Sequence, residues 1–153
     1  MAKNVAEQLV DTLEKAGVKR IYAVTGDSLN EVNEAVRKSG KIKWIHVRHE
    51  ETGAFAAAAE AQLNGELACC AGSSGPGHVH LINGLYDAQR SGAPVLAIAS
   101  TLPTHEFGTE YFQETNTIKL FEDCSYHNQV ATTPEQFPRM LQGAIQAALS
   151  FRG

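Results

Sequence analysis

Twice in this chain a strand-like run breaks off directly into the start of a helix. Residues 43–47 lead into Arg48-His49-Glu50-Glu51, and residues 67–71 lead into Gly72-Ser73-Ser74-Gly75-Pro76-Gly77. A chain that repeats such joints must return to the same end of a sheet through crossover helices. That predicts a mostly parallel sheet with helices on both faces. Ligands in such sheets bind where strands end and helices begin. An acid at one joint and bare backbone at the next point to a site that moves protons on a bound cofactor.

The same alternation continues along the chain. Residues 4–16 place Val5, Leu9, Leu13 and Ala16 at helical spacing, with Asn4 and Glu7 as a capping box and Gly17 as the stop. Residues 21–24 predict a strand, followed by the turn Thr25-Gly26-Asp27. Ser28 with Glu31 then opens a helix that turns Leu29, Val32 and Val36 inward and closes at Gly40. The helix opened by Glu50 holds an alanine run suited to close packing and ends at Gly65. A single helix is expected from the Gly/Ser loop through Arg90, and Pro94 introduces a strand over 95–99. Residues 102–117 show no period, and long loops of this kind often hold function. A short helix over 118–121, a weak strand over 128–131 and a helix to about Ser150 follow; Thr133 is expected to cap that last helix, with Pro134 at its first position. The sum is an α/β three-layer αβα sandwich with a mostly parallel, doubly wound sheet, in one domain over residues 1–153. A further strand would be the natural next element, so the fold is expected to lack its last strand here.

Composition narrows the function classes. With 43% hydrophobic and 20% charged residues the chain is ordinary globular material. A net charge of −4 gives no electrostatic footprint for nucleic acid. No stretch approaches the roughly 20 apolar residues of a membrane helix, and Met1-Ala2-Lys3-Asn4-Val5 shows no apolar signal-peptide core. The cysteines are Cys69, Cys70 and Cys124. An odd count with two adjacent in a strand argues for a reducing cytoplasm, and no C-x-x-C occurs.

Each candidate residue also has a plain structural reading. Glu50 and Glu51 in a first helical turn can simply offset the helix dipole; chemistry requires one of them in a dry pocket, where burial would let it hold a proton near neutral pH. The Gly72 to Gly77 loop is neither a Walker loop nor a dinucleotide fingerprint, since its glycines read G-x-x-G-x-G. It serves equally as a tight turn or as backbone that a ligand approaches closely. His78 and His80 stand two apart and face different ways, and His46, His49, His105 and His127 make no ligand pattern, so no metal site is expected. Cys69 and Cys70 read as core residues, and Ser73 and Ser74 lack a nucleophile-elbow setting.

Taken together, the motifs resemble a known family. The run from Val18 through Val24-Thr25-Gly26-Asp27-Ser28 to Asn30 is similar to the opening of pyruvate oxidase and pyruvate:quinone oxidoreductase. So are Arg48-His49-Glu50-Glu51, the Gly72 to Gly77 loop with Leu81-Ile82-Asn83-Gly84-Leu85, Pro94 to Ala99, and Tyr111-Phe112-Gln113-Glu114-Thr115. These are thiamine diphosphate enzymes, and the resemblance covers essentially the whole chain as the N-terminal pyrimidine-binding domain.

The resemblance implies roles. Glu50 would hydrogen-bond a ring nitrogen of the cofactor's aminopyrimidine and drive the tautomer that activates the thiazolium carbon. Val24, Thr25, Gly26, Ser73, Ser74, Gly75, Pro76, Gly77 and Asn83 would lie at the cofactor, while Phe112 and Gln113 would face substrate or flavin. Glu51 stays a helix-start acid. A full enzyme would add a middle domain that holds FAD and a C-terminal domain that binds Mg²⁺ and the diphosphate; both are absent here, so this chain would hold half a site and be inactive alone. Pyruvate would be the substrate of the whole enzyme. The faces at Ala54, Phe55, Ala57, Ala58 and Ala61 and at His80, Leu81 and Leu85 would meet a partner subunit in a homo-oligomer. The setting would be cytoplasmic, with membrane docking only through a C-terminal extension. Two alternatives stay open: a domain of an acetolactate synthase-like carboligase, and a free-standing α/β domain that binds or assembles without catalysis.

Overall fold

The computed structural model describes residues 3–153; Met1 and Ala2, the first two residues of the start read above for a leader, lie outside them. Helix α1 (Val5–Lys15) begins at the expected capping box, with the Asn4 side chain on the Glu7 N–H at 2.8 Å and the Glu7 carboxylate on the Asn4 N–H at 3.1 Å. Strand β1 (Arg20–Ala23), helix α2 (Asn30–Ser39), strand β2 (Lys43–His46), helix α3 (Glu50–Asn64) and strand β3 (Ala68–Gly72) follow. Then come a short α4 (Pro76–Val79), α5 (Ile82–Arg90), β4 (Val95–Ala99), α6 (Thr117–Phe121) and α7 (Phe137–Ala147). The four strands form one parallel sheet in the order β2-β1-β3-β4. The architecture is the expected αβα sandwich.

Two apolar clusters fill the space on either side of the sheet. Leu9 and Leu13 of α1, Val36 of α2 and Leu141 and Ile145 of α7 pack on one face; the alanines of α3 with Leu81 and Leu85 pack on the other. Successive residues of β3 point to opposite faces, so Cys69 joins the first cluster and Cys70 the second. That divergence explains why adjacent cysteines remain free thiols.

Helix α3 approaches its neighbours almost without side chains. A Cβ on Gly53 would stand 3.2 Å from the Tyr22 carbonyl oxygen, and one on Gly84 of α5 would overlap the Ala54 Cβ and lie 2.6 Å from the Phe55 nitrogen. Ala54, Ala57, Ala58, Ala61 and Leu81 are fully buried, and Leu85 nearly so, inside this one chain. The alanine run packs closely, and these residues, which the resemblance put on a face toward a partner, are buried within the chain, leaving Phe55 exposed at 40%.

Four local expectations fail for identifiable reasons. The helix expected from the Gly/Ser loop to Arg90 breaks at His80 and Leu81, because α4 is aimed by the His78 side chain and α5 by the Gly84 contact. No strand forms over 128–131. The Asn128 side-chain amide donates to the carbonyls of Thr117 and Ile118 at 3.1 and 2.8 Å, which ties this segment to α6. A groove of about 520 Å³ separates it from β4. Helix α7 starts at Phe137, not Pro134, because Pro138 in a helix begun at Pro134 would drive its ring against the carbonyl four residues back. Ser28 likewise caps no helix: residues Asp27–Leu29 form a 3₁₀ turn, and its hydroxyl is used elsewhere.

The α3–α5 contact gives a paired test. Gly84→Ala should destabilise the fold by about 1–3 kcal/mol through overpacking, although alanine favours helix. Gly143→Ala in α7, where a Cβ would meet only the His127 ring at 3.5 Å, should stabilise by up to about 1 kcal/mol. Denaturant midpoints of the two variants should move in opposite directions; a common direction contradicts the packing described.

Candidate functional site

Strands β1 and β3 are neighbours at the middle of the sheet, so their carboxyl ends bring together the segments after Ala23 and after Gly72. Gly26 lies so close to the second segment that a Cβ would overlap the Ser73 side chain. The Ser28 hydroxyl accepts the Ser74 N–H at 2.9 Å and meets the Ser73 hydroxyl at 3.1 Å, while the Ser100 hydroxyl donates to the Ser28 carbonyl at 2.8 Å. The β1, β3 and β4 ends are thereby stitched into one edge. The bare loop is held in shape rather than left slack.

Helix α3 delivers Glu50 to that edge. His49 is its N-cap, and its Nδ1 accepts the Glu51 N–H at 3.3 Å. The close seat of Gly53 on β1 draws the first turn inward, and Glu50 is only 8% exposed. Its Oε2 accepts the Nδ1–H of His80 at 2.9 Å. The His49 ring stacks on His80 with centroids 4.2 Å apart. Among the described residues nothing hydrogen-bonds Oε1; it lies beside Gly77, where a Cβ would stand 3.3 Å from it. A buried carboxylate with one oxygen fixed and the other facing bare backbone can hold or hand on a proton to a flat group seated on that backbone.

Glu51 behaves differently. It is less buried, and its carboxylate accepts the Asn83 side-chain amide at 2.9 Å, pinning the start of α3 to α5. Asn83 is exposed and turned to Glu51 in this arrangement. The two adjacent acids therefore differ in setting, Glu50 buried against His80 and Glu51 tied across to α5.

The long loop meets the site through Gln113. Its Oε1 accepts the Ser74 hydroxyl at 3.2 Å, and its backbone crowds Gly75, whose φ of +67° and bare Cα permit the approach. Gln113 itself takes a left-handed φ of +68°. Phe112 points away and is 77% exposed. Of the remaining predicted residues, Thr25 and Pro76 are exposed at the edge, and Val24, Gly26, Ser73 and Gly77 are half-buried there.

His78 is a structural hub. It is 1% exposed, donates Nδ1–H to the Ser100 carbonyl at 2.8 Å and accepts the Thr115 hydroxyl on Nε2 at 2.5 Å. These partners fix its neutral tautomer, and burial pushes its pKa below the ordinary histidine value. Burial also pushes the Cys70 thiol up to about 12 and Cys69 well above its usual value, so neither is a nucleophile near neutral pH. Sequence reasoning missed His49 and His80 as companions of Glu50, and Ser28 and Ser100 as supports of the loop. His80 is 30 positions from Glu50 and Ser100 is 72 from Ser28, and no local spacing signals such pairs. No helix among the described residues is long and apolar enough to cross a membrane.

Comparison with known proteins gives the chain's family. Residues 3–120 match the family described as thiamine pyrophosphate enzyme, N-terminal TPP binding domain. The chain is 57% identical, over 97% of its length, to an uncharacterized 42.6 kDa protein in the isoamylase 3′ region of Pseudomonas amyloderamosa, of which it covers 38%. It is 38% identical over 95% of its length to the pyruvate oxidase of Lactiplantibacillus plantarum, covering 24% of that protein. It is 35% identical over 96% of its length to the chloroplastic acetolactate synthase of Arabidopsis thaliana, covering 22%. The chain thus spans well under half the length of these curated relatives.

The buried neutral His78 sets a pH dependence for the framework. Its folded pKa lies below the unfolded value near 6.5, so in the window just below 6.5 the unfolded chain binds more protons than the folded one. Stability is therefore full above about pH 6.5 and falls as pH drops through the folded pKa, by no more than about 1.4 kcal/mol per pH unit. Denaturation at pH 7.5 and 5.5 should show this loss. His78→Gln, less stable at both values, should show a smaller difference between them; an unchanged difference counts against His78 as its source.

Proposed function

The chain belongs to the thiamine pyrophosphate enzyme family, as an N-terminal TPP binding domain, and from that premise we propose that Glu50 engages the aminopyrimidine of thiamine diphosphate within a longer enzyme that oxidatively decarboxylates pyruvate. One observation carries the reading: the buried Glu50 carboxylate has Oε2 held by His80 and Oε1 turned to the glycine-lined backbone at Gly77. A flat heteroaromatic ring can approach Oε1 there because Gly77 carries no side chain, a Cβ on it standing 3.3 Å from that oxygen.

When bound, the cofactor supplies carbanion chemistry at its thiazolium carbon. This chain's residues then bind, orient and move a proton. The backbone of Val24, Thr25 and Gly26 and of the Ser73 to Gly77 loop supports the ring, and Glu50 shares a proton with its nitrogen. His80 keeps the carboxylate aimed. Asn83, now tied to Glu51, would reach the site only by exchanging that bond. Gln113, seated on Ser74 and Gly75, and the exposed Phe112 would face substrate or flavin. The diphosphate with Mg²⁺, and FAD, would be bound by other parts of the longer protein, in a homo-oligomer whose subunits complete one another's sites. The three free buried cysteines support a cytoplasmic setting.

An acetolactate synthase-like carboligase is the second reading, favoured by the 35% identity to such an enzyme. The oxidase reading rests on the 38% identity to pyruvate oxidase and on the Phe112-Gln113-Glu114-Thr115 segment. Pyruvate given to the full-length protein distinguishes them: acetate with reduced acceptor supports the oxidase, and acetolactate supports the carboligase.

In the full-length protein, Glu50→Gln should slow hydrogen exchange at the thiazolium carbon by at least about 10²-fold, the usual loss with a general acid–base group. Glu51→Gln should stay within a few-fold of the parent, since it leaves the pocket carboxylate in place. Deuterium loss from the cofactor reads this without substrate, and equal small effects would remove Glu50 from the mechanism. The purified 153-residue chain, given thiamine diphosphate, Mg²⁺ and pyruvate, should release CO₂ no faster than the cofactor alone. Turnover above that background would show that the half-site reading is wrong.

A further inference from the structure

We propose that His49, Glu50 and His80 form a binding site for a zinc-class divalent ion. Among the described residues these are the one set of three ligand-type side chains whose ligand atoms all lie within 4.8 Å of one another. Two imidazoles and a carboxylate are a donor set suited to Zn²⁺ and its neighbours, and poorly suited to Mg²⁺, which prefers oxygen and retains its water.

The geometry is close to a coordination sphere. His80 Nδ1 and Glu50 Oε2 are 2.9 Å apart; two ligands of a tetrahedral zinc with bonds of about 2.0–2.1 Å stand about 3.3 Å apart. The proton between them occupies the place an ion would take. Replacing it asks only that the His80 ring carry its hydrogen on Nε2 instead of Nδ1. The third ligand is stacked on the second at 4.2 Å, with 26° between the ring planes. His49 is exposed, so its ring can turn, and the one hydrogen bond the ring makes among the described residues is the long 3.3 Å contact with the Glu51 N–H. Glu50 is buried and fixed, so the site has one rigid ligand and an open side where water completes the sphere. The positive end of α3 opposes a cation, but the Glu50 charge lies nearer to the ion than that dipole. On the function proposed above, such an ion also competes with the aminopyrimidine for Glu50; this consequence alone rests on that reading.

The test is calorimetric titration of the purified chain with Zn²⁺ in a non-chelating buffer near pH 7.5, with Co²⁺ absorption as the geometric readout. One ion per chain is expected. His49→Gln, Glu50→Gln and His80→Gln should each weaken binding by at least about tenfold, whereas His105→Gln, His127→Gln and Cys124→Ala should not. His49→Gln changes an exposed side chain, so its effect is readable even if the buried Glu50 variant folds poorly. Absence of zinc binding by the parent chain overturns the site. So does binding that survives all three substitutions, or displacement by millimolar Mg²⁺. Zinc affinity needs no cofactor, so its failure leaves the proton-exchange result at Glu50 standing, and the reverse holds too.

Discussion

Everything at the ligand edge depends on how closely α3 lies against its neighbours. An ordinary side chain at Gly53 or Gly84 would lift the helix from β1 or from α5. Ala54, Ala57, Ala58 and Ala61 are fully buried, so the contact is made largely by backbone and methyl groups. Such an interface has little slack, because close-packed interiors transmit displacement rather than absorb it. It sets where the first turn of α3 begins, and hence where the Glu50 carboxylate sits relative to the loop after β3. A shift of a fraction of an ångström there would separate Oε1 from Gly77 while leaving the fold recognisable.

That placement lets two adjacent glutamates do unlike work. Both begin α3 and both can offset its dipole. Glu50 faces the sheet edge and is held by His80; Glu51 faces α5 and is held by Asn83. The difference comes from the 100° step between successive helical residues, not from their chemistry. His80 stands where α4 and α5 part, and the break in helix that frees it follows from two anchors pulling in different directions, His78 towards Ser100 and Gly84 towards Ala54. The helix break is therefore tied to the position of a residue that aims the site's carboxylate.

The strand and helix order was legible because buried parallel strands, capping boxes and terminal glycines leave local marks; Asn4, Gly40 and Gly65 each act where the pattern placed them. Glu50 and the glycine loop stood out for the same reason, each lying at a strand-to-helix joint. What local pattern could not supply was partnership across the chain. The Ser28 hydroxyl looked like a helix cap and instead holds Ser74. Ala54 and Ala57 of α3 and Leu81 before α5, which the resemblance put toward a partner, face inward. The 128–131 run has strand composition, but the Asn128 amide commits it to α6. In each case a tertiary hydrogen bond or helix contact decided the outcome.

The long loop after β4 is the remaining part of the edge, and its conformation is coupled to the pocket. Glu114 gathers the loop on itself by accepting the N–H groups of Gly108 at 2.6 Å and Glu110 at 2.8 Å. Glu110 and Gln113 both hold left-handed backbone, which non-glycine residues adopt only when surroundings impose it. For Gln113 the surroundings are Ser74 and Gly75, the same backbone that faces Glu50 through Gly77. At the other end of the segment, Thr115 is held by His78, which also reaches Ser100 at the end of β4. The loop is thus clamped at two points, 113 and 115, to the two sides of one short turn. The turn that carries Ser74 and Gly75 is joined to the loop at both clamps, with Phe112 projecting into solvent just before them.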